Sequence, residues 1–207
     1  MINDLNDTLA ALLEQELALK DSGINVVFAA PDTRFFQKIT PPLIAIFLYD
    51  IRENLALRVS EPFAQQKTAG VDTTSVIRSP VSIDYSYLIT AWGSNGSETA
   101  PDKDQHDMLS RVLHALLRHP IWPAARLKGQ LAAHPLPRAF VAQPGHSHNM
   151  AEFWSAMGGH PRAVLHYTVT APLHAHAPIE NIPVVKVVSH QASEKQKRNI
   201  TWPTNPT

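Results

Sequence analysis

The chain has 207 residues, of which 44% are hydrophobic and 17% are charged, so it can form one domain with a core, or such a domain with an appendage. It contains no cysteine, which excludes disulfide and thiolate chemistry and fits a protein that folds in a reducing cytoplasm. Eighteen basic residues balance eighteen acidic residues, so no net field draws the protein to nucleic acid or to an anionic membrane.

The first predicted element is an amphipathic helix over residues 3–19. Its leucines recur at helical spacing with acidic residues between them, and Gly23 marks its C-terminal end. Acidic residues also stand where a secretory signal needs basic ones, and no segment of the chain reaches the roughly 20 apolar residues of a membrane span. We therefore expect no individual export and no membrane partner, although the protein can leave the cell as part of a larger particle.

Four segments have the patterns of β-strands, and a second helix lies between the last two of them. The strands are predicted at 25–29, 43–51, 81–92 and 163–171, and the helix at 104–118. Residues 81–92 alternate cleanly between apolar and polar side chains, which is typical of a half-buried strand. A shorter helix is predicted in "NMAEFWSAMGG", with Met150, Phe153, Trp154 and Met157 turned inward.

Two parts of the chain lack regular patterns. Residues 60–80 mix Pro, Gly, Gln and Thr, which predicts a long irregular loop, and residues 173–207 read as a Pro-rich extended arm. Together these patterns predict an α+β fold in which a mixed sheet of four to five strands is packed by two main helices. The predicted division is a domain at 1–172 and an extension at 173–207.

The eleven histidines are the first candidates for chemistry. His146 with His148, and His174 with His176, each place two imidazoles on one face of an extended segment, which is suitable geometry for zinc. Both pairs lie in Pro-rich stretches without an adjacent carboxylate, and isolated His-x-His pairs have little specificity. The prediction is that no metal and no other cofactor is bound.

Catalytic motifs are absent from the sequence. There is no G-x-S-x-G, no Walker loop and no G-x-G-x-x-G. Asp50 and Glu53 are close enough in sequence to suggest an acid pair, but Arg52 and Arg58 are simpler partners for them. We expect no catalytic residues.

The stretch "LIAIFLYDIRENLALR" (residues 43–58) begins as a core strand and ends in alternating charge. Charged side chains are not buried without partners, so this strand must leave the core at its end. The candidates for that end are a catalytic site, a metal site and an interface. The charged residues concerned are Asp50, Arg52, Glu53 and Arg58.

Five segments occur in an order that is similar to a known family: "MINDLNDTLAALLEQEL", "FLYDIRENLALR", "IDYSYLITAWG", "HDMLSRVLHALLRHPIWPAARLKGQL" and "FWSAMGGHPRAVLHYTVTAPL". The chain from residue 1 to about residue 173 resembles the N-terminal domain of the cap, or tail-terminator, proteins of phage-tail-like contractile injection systems of the Photorhabdus virulence cassette and antifeeding prophage type. The tail after residue 173 carries no part of this resemblance.

The resemblance implies a structural protein rather than an enzyme. It implies a homo-hexameric ring on the distal end of the inner tube protein and the last layer of the sheath protein, which stops elongation and holds the sheath end. It also implies assembly in the cytoplasm and residence in the finished particle. A closed ring needs head-to-tail interfaces between different surfaces, so we expect the strand end with Asp50, Arg52, Glu53 and Arg58 to lie at or beside the contact between neighbouring subunits. A His-dependent metal enzyme or hydrolase, and a stand-alone adaptor domain, are the alternatives.

Overall fold

The computed structural model describes residues 1–32, 35, 40, 42–58, 63–67, 73–93, 101–133, 135–142, 150–159, 161–177 and 179–183. Its helices are α1 (Ile2–Glu16), α2 (Leu19–Ser22), α3 (Pro101–Leu117) and α4 (Met150–Met157). Its strands are β1 (Asn25–Phe28), β2 (Leu43–Glu53), β3 (Phe63–Lys67), β4 (Thr73–Arg78), β5 (Val81–Trp92), β6 (Arg138–Val141), β7 (Leu165–Leu173) and β8 (Ile179–Pro183). Short 3₁₀ turns lie at Leu55–Leu57, Ala124–Arg126 and Gly129–Ala133.

Five strands form the main sheet, in the order β1-β2-β5-β7-β6. β1 runs parallel to β2, and the other neighbouring strands pair antiparallel, so the sheet is mixed. The prediction of an α+β fold with a mixed sheet is confirmed. β6 was not predicted, because its four residues are too few to show a clear alternation.

The first face of this sheet carries the main core, which the two long helices cover. Leu5, Leu9, Leu12 and Leu13 of α1 are fully buried, and a buried stripe of α3 packs with them against the inward side chains of the strands. The buried strand side chains of this core are Ile44, Ile46, Tyr85, Tyr87, Ile89, Ala91, Ala139, Tyr167, Val169 and Ala171. The predicted packing of both helices on the sheet is therefore confirmed.

The sequence predicts a buried stripe on α3 made of Met108, Leu109, Val112, Leu113, Leu116 and Leu117, and the structure differs from it at two positions. Val112 and Leu116 are fully buried, whereas Leu113 is only half-buried and does not belong to the core. A helix turns by 3.6 residues, so 112 and 116 share a face that 113 borders. Leu117 is 57% exposed, so the assignment of Leu113 and Leu117 to the buried stripe was wrong.

Residues 60–80 contain a β-hairpin instead of an irregular loop. β3 pairs antiparallel with β4, and β4 pairs with β8, which gives a second sheet of three strands. The run of β-branched residues in β4 favours a strand. The surrounding Gly, Gln and Pro hid that signal in the sequence. β8 lies within the predicted extension 173–207, so part of that arm belongs to a sheet, while its residues after 183 lie outside the described part of the chain.

Among the described residues, Phe35 and α4 cover parts of the second face of the main sheet. Residues 85–92 of β5 are buried on both faces, not on one face as the alternation predicted. At one end Phe35 packs edge-on against Trp92, with ring centroids 5.6 Å apart. Nearer the middle, α4 lies across the sheet, and Phe153 is 6.5 Å from Phe47. The rest of this face leads to the charged end of β2.

Candidate functional site

The charged end of β2 begins at an irregularity in strand pairing. The register between β2 and β5 shifts between Leu48 and Asp50, which is the effect of a β-bulge. Such a bulge adds one residue to one strand and changes the direction of the side chains that follow it. After the shift, Arg52 lies opposite Asp84 and Glu53 lies opposite Ile83. The strand thus continues to pair after it has left the core.

The four predicted interface residues form two ion pairs within the chain. Arg52 Nε lies 2.6 Å from Asp50 Oδ2, and Arg58 donates from Nε and Nη2 to the two carboxylate oxygens of Glu53 at 2.9 and 3.0 Å. Both guanidinium side chains are largely exposed, at 71% and 65%. Exposed pairs of this kind contribute about 0–1 kcal/mol to folding. The fold does not depend on them, so each can be exchanged without unfolding the domain.

Asn54 and Asp84 fix the turn that follows β2. The Asn54 amide donates to both oxygens of Asp84 at 3.1 and 3.2 Å, and Thr170 donates its hydroxyl to Asp84 at 2.6 Å. The Asn54 backbone N–H also donates to the Ser82 carbonyl at 2.8 Å. Three strands are therefore joined at this position, and the charged end is held in a defined geometry.

Exposed apolar side chains accompany the charges. Ile51, Leu55 and Leu57 are 48%, 66% and 44% exposed. The Asn54 side chain accepts from the Leu57 N–H at 3.2 Å and so caps the 3₁₀ turn that carries both leucines. Aliphatic side chains between paired charges are typical of surfaces that become buried on association.

An open apolar cavity of about 460 Å³ lies beside this end, between the sheet and α4; we call it the α4 cavity. It is lined by Phe47, Tyr49, Asp50, Arg52, Leu88, Met150, Glu152, Phe153, Ala156, Met157 and His166. Sequence reasoning expected Met150, Phe153 and Met157 to be buried, but only Trp154 of α4 is fully covered. The helical period identified the apolar side of α4. It could not show that Met150, Phe153 and Met157 on this side are only half-buried.

Tyr49 and His166 provide the polar groups at the wall of the α4 cavity. The Tyr49 hydroxyl lies 3.3 Å from His166 Nδ1, and the two rings meet edge-on. Burial raises the pKa of Tyr49 above its usual range, and the Asp50 carboxylate raises it further, although a hydrogen bond with Ser86 opposes them. The hydroxyl is therefore neutral at physiological pH, and it can donate and accept hydrogen bonds.

The histidine pairs do not form a metal cluster in the part of the chain that the structure covers. His174 and His176 are exposed after β7, and His176 Nε2 lies 3.2 Å from Arg78 Nη1. His146 and His148 fall outside the described residues. Within those residues, no three His, Asp or Glu side chains lie close enough together to hold a metal ion. The prediction that no metal is bound stays a prediction.

A second polar cluster was not found from the sequence. Glu16 at the end of α1 accepts from Arg118 at 2.7 Å and from Arg126 at 3.0 Å, and His119 Nε2 lies 2.9 Å from it. These close contacts lower the pKa of Glu16 from 4.5 to about 2, with His119 the largest cause. The partners are about a hundred residues away in sequence, so no local pattern could indicate them. The cluster ties α1 to the end of α3.

Comparison with known proteins now identifies the family. The family model described as the Pvc16 N-terminal domain matches residues 4–186. The chain belongs to that family. The predicted resemblance is confirmed, and the match extends beyond the residue 173 at which the sequence resemblance ended. No curated protein sequence matches the chain significantly.

Two solved structures of cap proteins are similar to this member of the Pvc16 N-terminal domain family. The sheath/tube terminator of the extracellular contractile injection system PVC, in its extended state, is 27% identical, with a TM-score of 0.71 and 95% of this chain covered. The tube-terminating cap of the anti-feeding prophage is also 27% identical, with a TM-score of 0.61 and 92% covered. The alignments cover 65% and 59% of those proteins, so this chain spans less than two thirds of their length.

Membrane insertion has no support from the helices. Of those in the described ranges, none combines the length and the apolar character that crossing a bilayer requires.

Proposed function

We propose that this chain is a structural cap of a contractile phage-tail-like particle. Six copies form a closed ring on the distal end of the inner tube and the last sheath layer, where the ring stops elongation and anchors the sheath end. The protein assembles in the cytoplasm and stays in the finished particle. Its partners are further copies of itself, the tube protein and the sheath protein, and it performs no catalysis.

The main support is the structural similarity over nearly the whole chain to a sheath/tube terminator, at a TM-score of 0.71. Fold similarity alone does not define function. Here the family match over residues 4–186 and a second similar structure, itself a tube-terminating cap, point to the same role. The enzyme alternative lacks comparable support, because no catalytic motif is present in the sequence.

The charged end of β2 is our candidate for the contact between neighbouring subunits. A closed ring joins one surface of each subunit to a different surface of the next. Asp50, Arg52, Glu53 and Arg58 form two ion pairs near the exposed Leu55 in sequence, and hydrogen bonds from Asn54 to Asp84 anchor the turn between them. A preorganised surface loses less entropy on association than a flexible one.

Removal of the gene from cells that make the particle tests this function. Without the cap, particles should have a broad length distribution in negative-stain electron micrographs, and their sheath should detach or contract. Wild-type protein supplied in trans should restore one length. Light scattering should give a particle mass equal to six chains, for the purified protein alone or after it is mixed with short tube segments.

Two results would contradict the proposal. Particles of unchanged length without the gene would show that another component terminates the tail. A chain that stays monomeric with tubes and sheath but binds a different protein would support the adaptor alternative.

A further inference from the structure

Most of the exposed large apolar side chains among the described residues fall into two groups. One group accompanies the charged end of β2 and consists of Ile51, Leu55 and Leu57. The other lies at the β6 edge of the main sheet, and we call it the β6-edge patch. Its members, which are between 41% and 57% exposed, are Leu117, Ile121, Leu136 and Phe140. Because β5 and β7 lie between β2 and β6, these two strands are about 14 Å apart.

Backbone contacts bring the β6-edge patch together. Ile121 forms an isolated antiparallel bridge with Arg138, and a backbone hydrogen bond flanks the bridge on each side, at 2.9 and 2.8 Å. Bridged residues place their side chains on one face, and Phe140, two residues along β6, shares that face. Leu136 precedes Arg138 by two residues, and Leu117 precedes Ile121 by four. The patch is therefore one surface centred on Ile121, with Arg138 beside it.

This edge of the sheet is poorly suited to pair with a further strand. The Trp122 N–H and the Pro120 carbonyl already form hydrogen bonds with the β6 side. Pro123 comes next, and proline has no backbone N–H to offer. Edge prolines are one device by which proteins prevent strand addition. A partner of the β6-edge patch therefore contacts its side chains, and large exposed apolar patches mark such contacts.

The α4 cavity has a shape and a lining that suit these side chains. A closed cavity of about 150 Å³ holds one benzene ring, so a cavity of about 460 Å³ has room for about three apolar groups of that size. Met150, Phe153 and Met157 line the helix side of the cavity. Flexible thioethers adapt to the shape of an incoming side chain. The β6-edge patch of the same molecule is held two strands away by the sheet, so the patch that enters belongs to another copy.

The charges beside the two surfaces agree with this pairing. Arg138 is exposed, and within the described ranges it has no ion-pair partner. Asp50 lines the α4 cavity, where Arg52 contacts its Oδ2 atom. A carboxylate can accept from two guanidinium groups, as Glu16 does at the end of α1. Arg138 of a neighbouring copy can therefore share Asp50 with Arg52, and such charge pairs set the orientation of a contact.

We propose that the β6-edge patch of one subunit docks into the α4 cavity of the next subunit. This inference rests on the proposed ring, and it names the two different surfaces that a head-to-tail contact joins. Because Asp50 and Arg52 line the cavity, the contact includes part of the charged end of β2. Each subunit offers its patch to one neighbour and its cavity to the other, so the contact repeats until the ring closes.

Cysteine crosslinking can test this contact, because the chain has no cysteine of its own. Ile121→Cys places a thiol in the patch, and Ala156→Cys places one at the cavity wall, both at exposed positions. With a short bis-maleimide linker, each single variant alone should give no crosslinked pair, whereas the two variants expressed together should give one. Ala151→Cys is the control, since it is exposed on α4 but does not line the cavity. Together with Ile121→Cys it should give several-fold less product.

The double variant Ile121→Cys with Ala156→Cys counts the chains that the contact joins. In purified protein or in isolated particles, its crosslinked ladder should reach six chains and stop there. The proposal is overturned if neither sample gives more product than the Ala151→Cys control. It is also overturned if Ile121→Cys alone crosslinks with itself, or if the ladder ends at two chains, because the contact would then be twofold.

Light scattering gives a second measurement, under the conditions in which the wild-type chain forms its ring. Ile121→Arg disrupts only the patch and Ala156→Arg only the cavity, so each variant alone should have the mass of one chain. Their mixture keeps one intact contact and should have the mass of two chains. Wild-type mass for either variant would contradict the docking.

Failure of this contact differs from failure of the cap function. Particles of one length without the crosslink would reject the contact and keep the cap. Crosslinked rings in cells whose particle length does not depend on the gene would keep the contact and reject the cap.

Discussion

At the scale of single residues, Gly129 is the position where the fold requires glycine. Its φ of +52° lies in the left-handed region, and an added Cβ would overlap the Asp4 carboxylate. Asp4 would then have to move away from Gln130, whose backbone N–H donates to the Asp4 carboxylate at 3.4 Å. We expect Gly129→Ala to lower the free energy of unfolding by about 1–3 kcal/mol.

Gly23 is the matched control for that substitution. Its φ is +64°, and nothing lies within 4 Å of an added Cβ. Gly23→Ala should therefore show only the backbone cost, about 1 kcal/mol, in the same urea titration. Equal losses at the two positions would show that the contact with Asp4 does not matter.

Glu16 should make stability depend on pH in the acidic range. Its pKa falls from 4.5 in the unfolded chain to about 2 in the folded protein, so the folded state favours the ionised carboxylate. That stabilisation is complete above pH 4.5 and disappears as the pH falls to about 2. The lowering corresponds to at most about 3 kcal/mol, and screening around the exposed Arg118 reduces this amount.

Unfolding by urea between pH 6 and pH 2 measures this contribution. The variant Glu16→Gln should be less stable than wild type at pH 6, and the difference should narrow towards pH 2. Glu14→Gln, at an exposed position on the same helix, should follow the wild-type curve. A constant difference between Glu16→Gln and wild type at every pH would contradict the assignment.

At the scale of elements, the long helices were predictable because each buries one face against the sheet. The spacing of leucines alone located α1 and α3 to within three residues at each end. The β3–β4 hairpin was missed because β-propensity depends on pairing partners, and β4 pairs with β3 and with the distant β8. A sequence window contains no information about β8.

Truncation of single leucines of α3 to Ala tests which of them lie in the core. Leu116 is 1% exposed, and its truncation to Ala should lower the free energy of unfolding by about 2–5 kcal/mol. The neighbouring Leu117 is 57% exposed, and Leu117→Ala should change stability by less than about 0.5 kcal/mol. Leu113→Ala should fall between them, since Leu113 is half-buried. Identical urea midpoints for all three variants would place this helix outside the core.

At the scale of the whole molecule, the sequence located the candidate interface but not its geometry. The change from apolar to charged residues after Leu48 showed that β2 leaves the core, and the structure puts a register shift there. The sequence did not show which charges pair with each other, nor that an apolar cavity adjoins Asp50 and Arg52. The cavity depends on α4, β5 and β7, which are distant along the chain from β2. The assignment of these residues to a subunit contact remains a prediction.

Metal independence is a further prediction for the whole molecule. Structural zinc contributes directly to folding energy, and its removal unfolds small zinc domains. The exposed His174 and His176 form no cluster with other ligands in the described residues. Exhaustive chelation should therefore leave the melting temperature unchanged. A fall of many degrees that zinc reverses would support the metal-enzyme alternative.

The interface prediction is tested by reversing the charge of Arg52, which forms an ion pair with Asp50. Arg52→Glu places a third carboxylate beside Asp50 and Glu53. If these residues lie in a desolvated contact between subunits, the association free energy should fall by several kcal/mol. If they lie on an exposed rim, the loss should be about 0–1 kcal/mol. Lys103→Glu is the control, because it makes the same charge change at an exposed position of α3. Circular dichroism should show that both variants fold.

The double exchange Asp50→Arg with Arg52→Glu separates the two roles of this pair. It restores the ion pair within the chain, at 2.6 Å in the wild type, but reverses the charges that the surface presents to a neighbour. If the pair only stiffens the strand end, the double exchange should restore ring mass and particle length. Our prediction is that it stays defective, with a reduced mass by light scattering and tails of variable length, while Lys103→Glu terminates tails normally. A double variant, or an Arg52→Glu single variant, that forms wild-type rings and particles of one length would place the subunit contact elsewhere on the molecule.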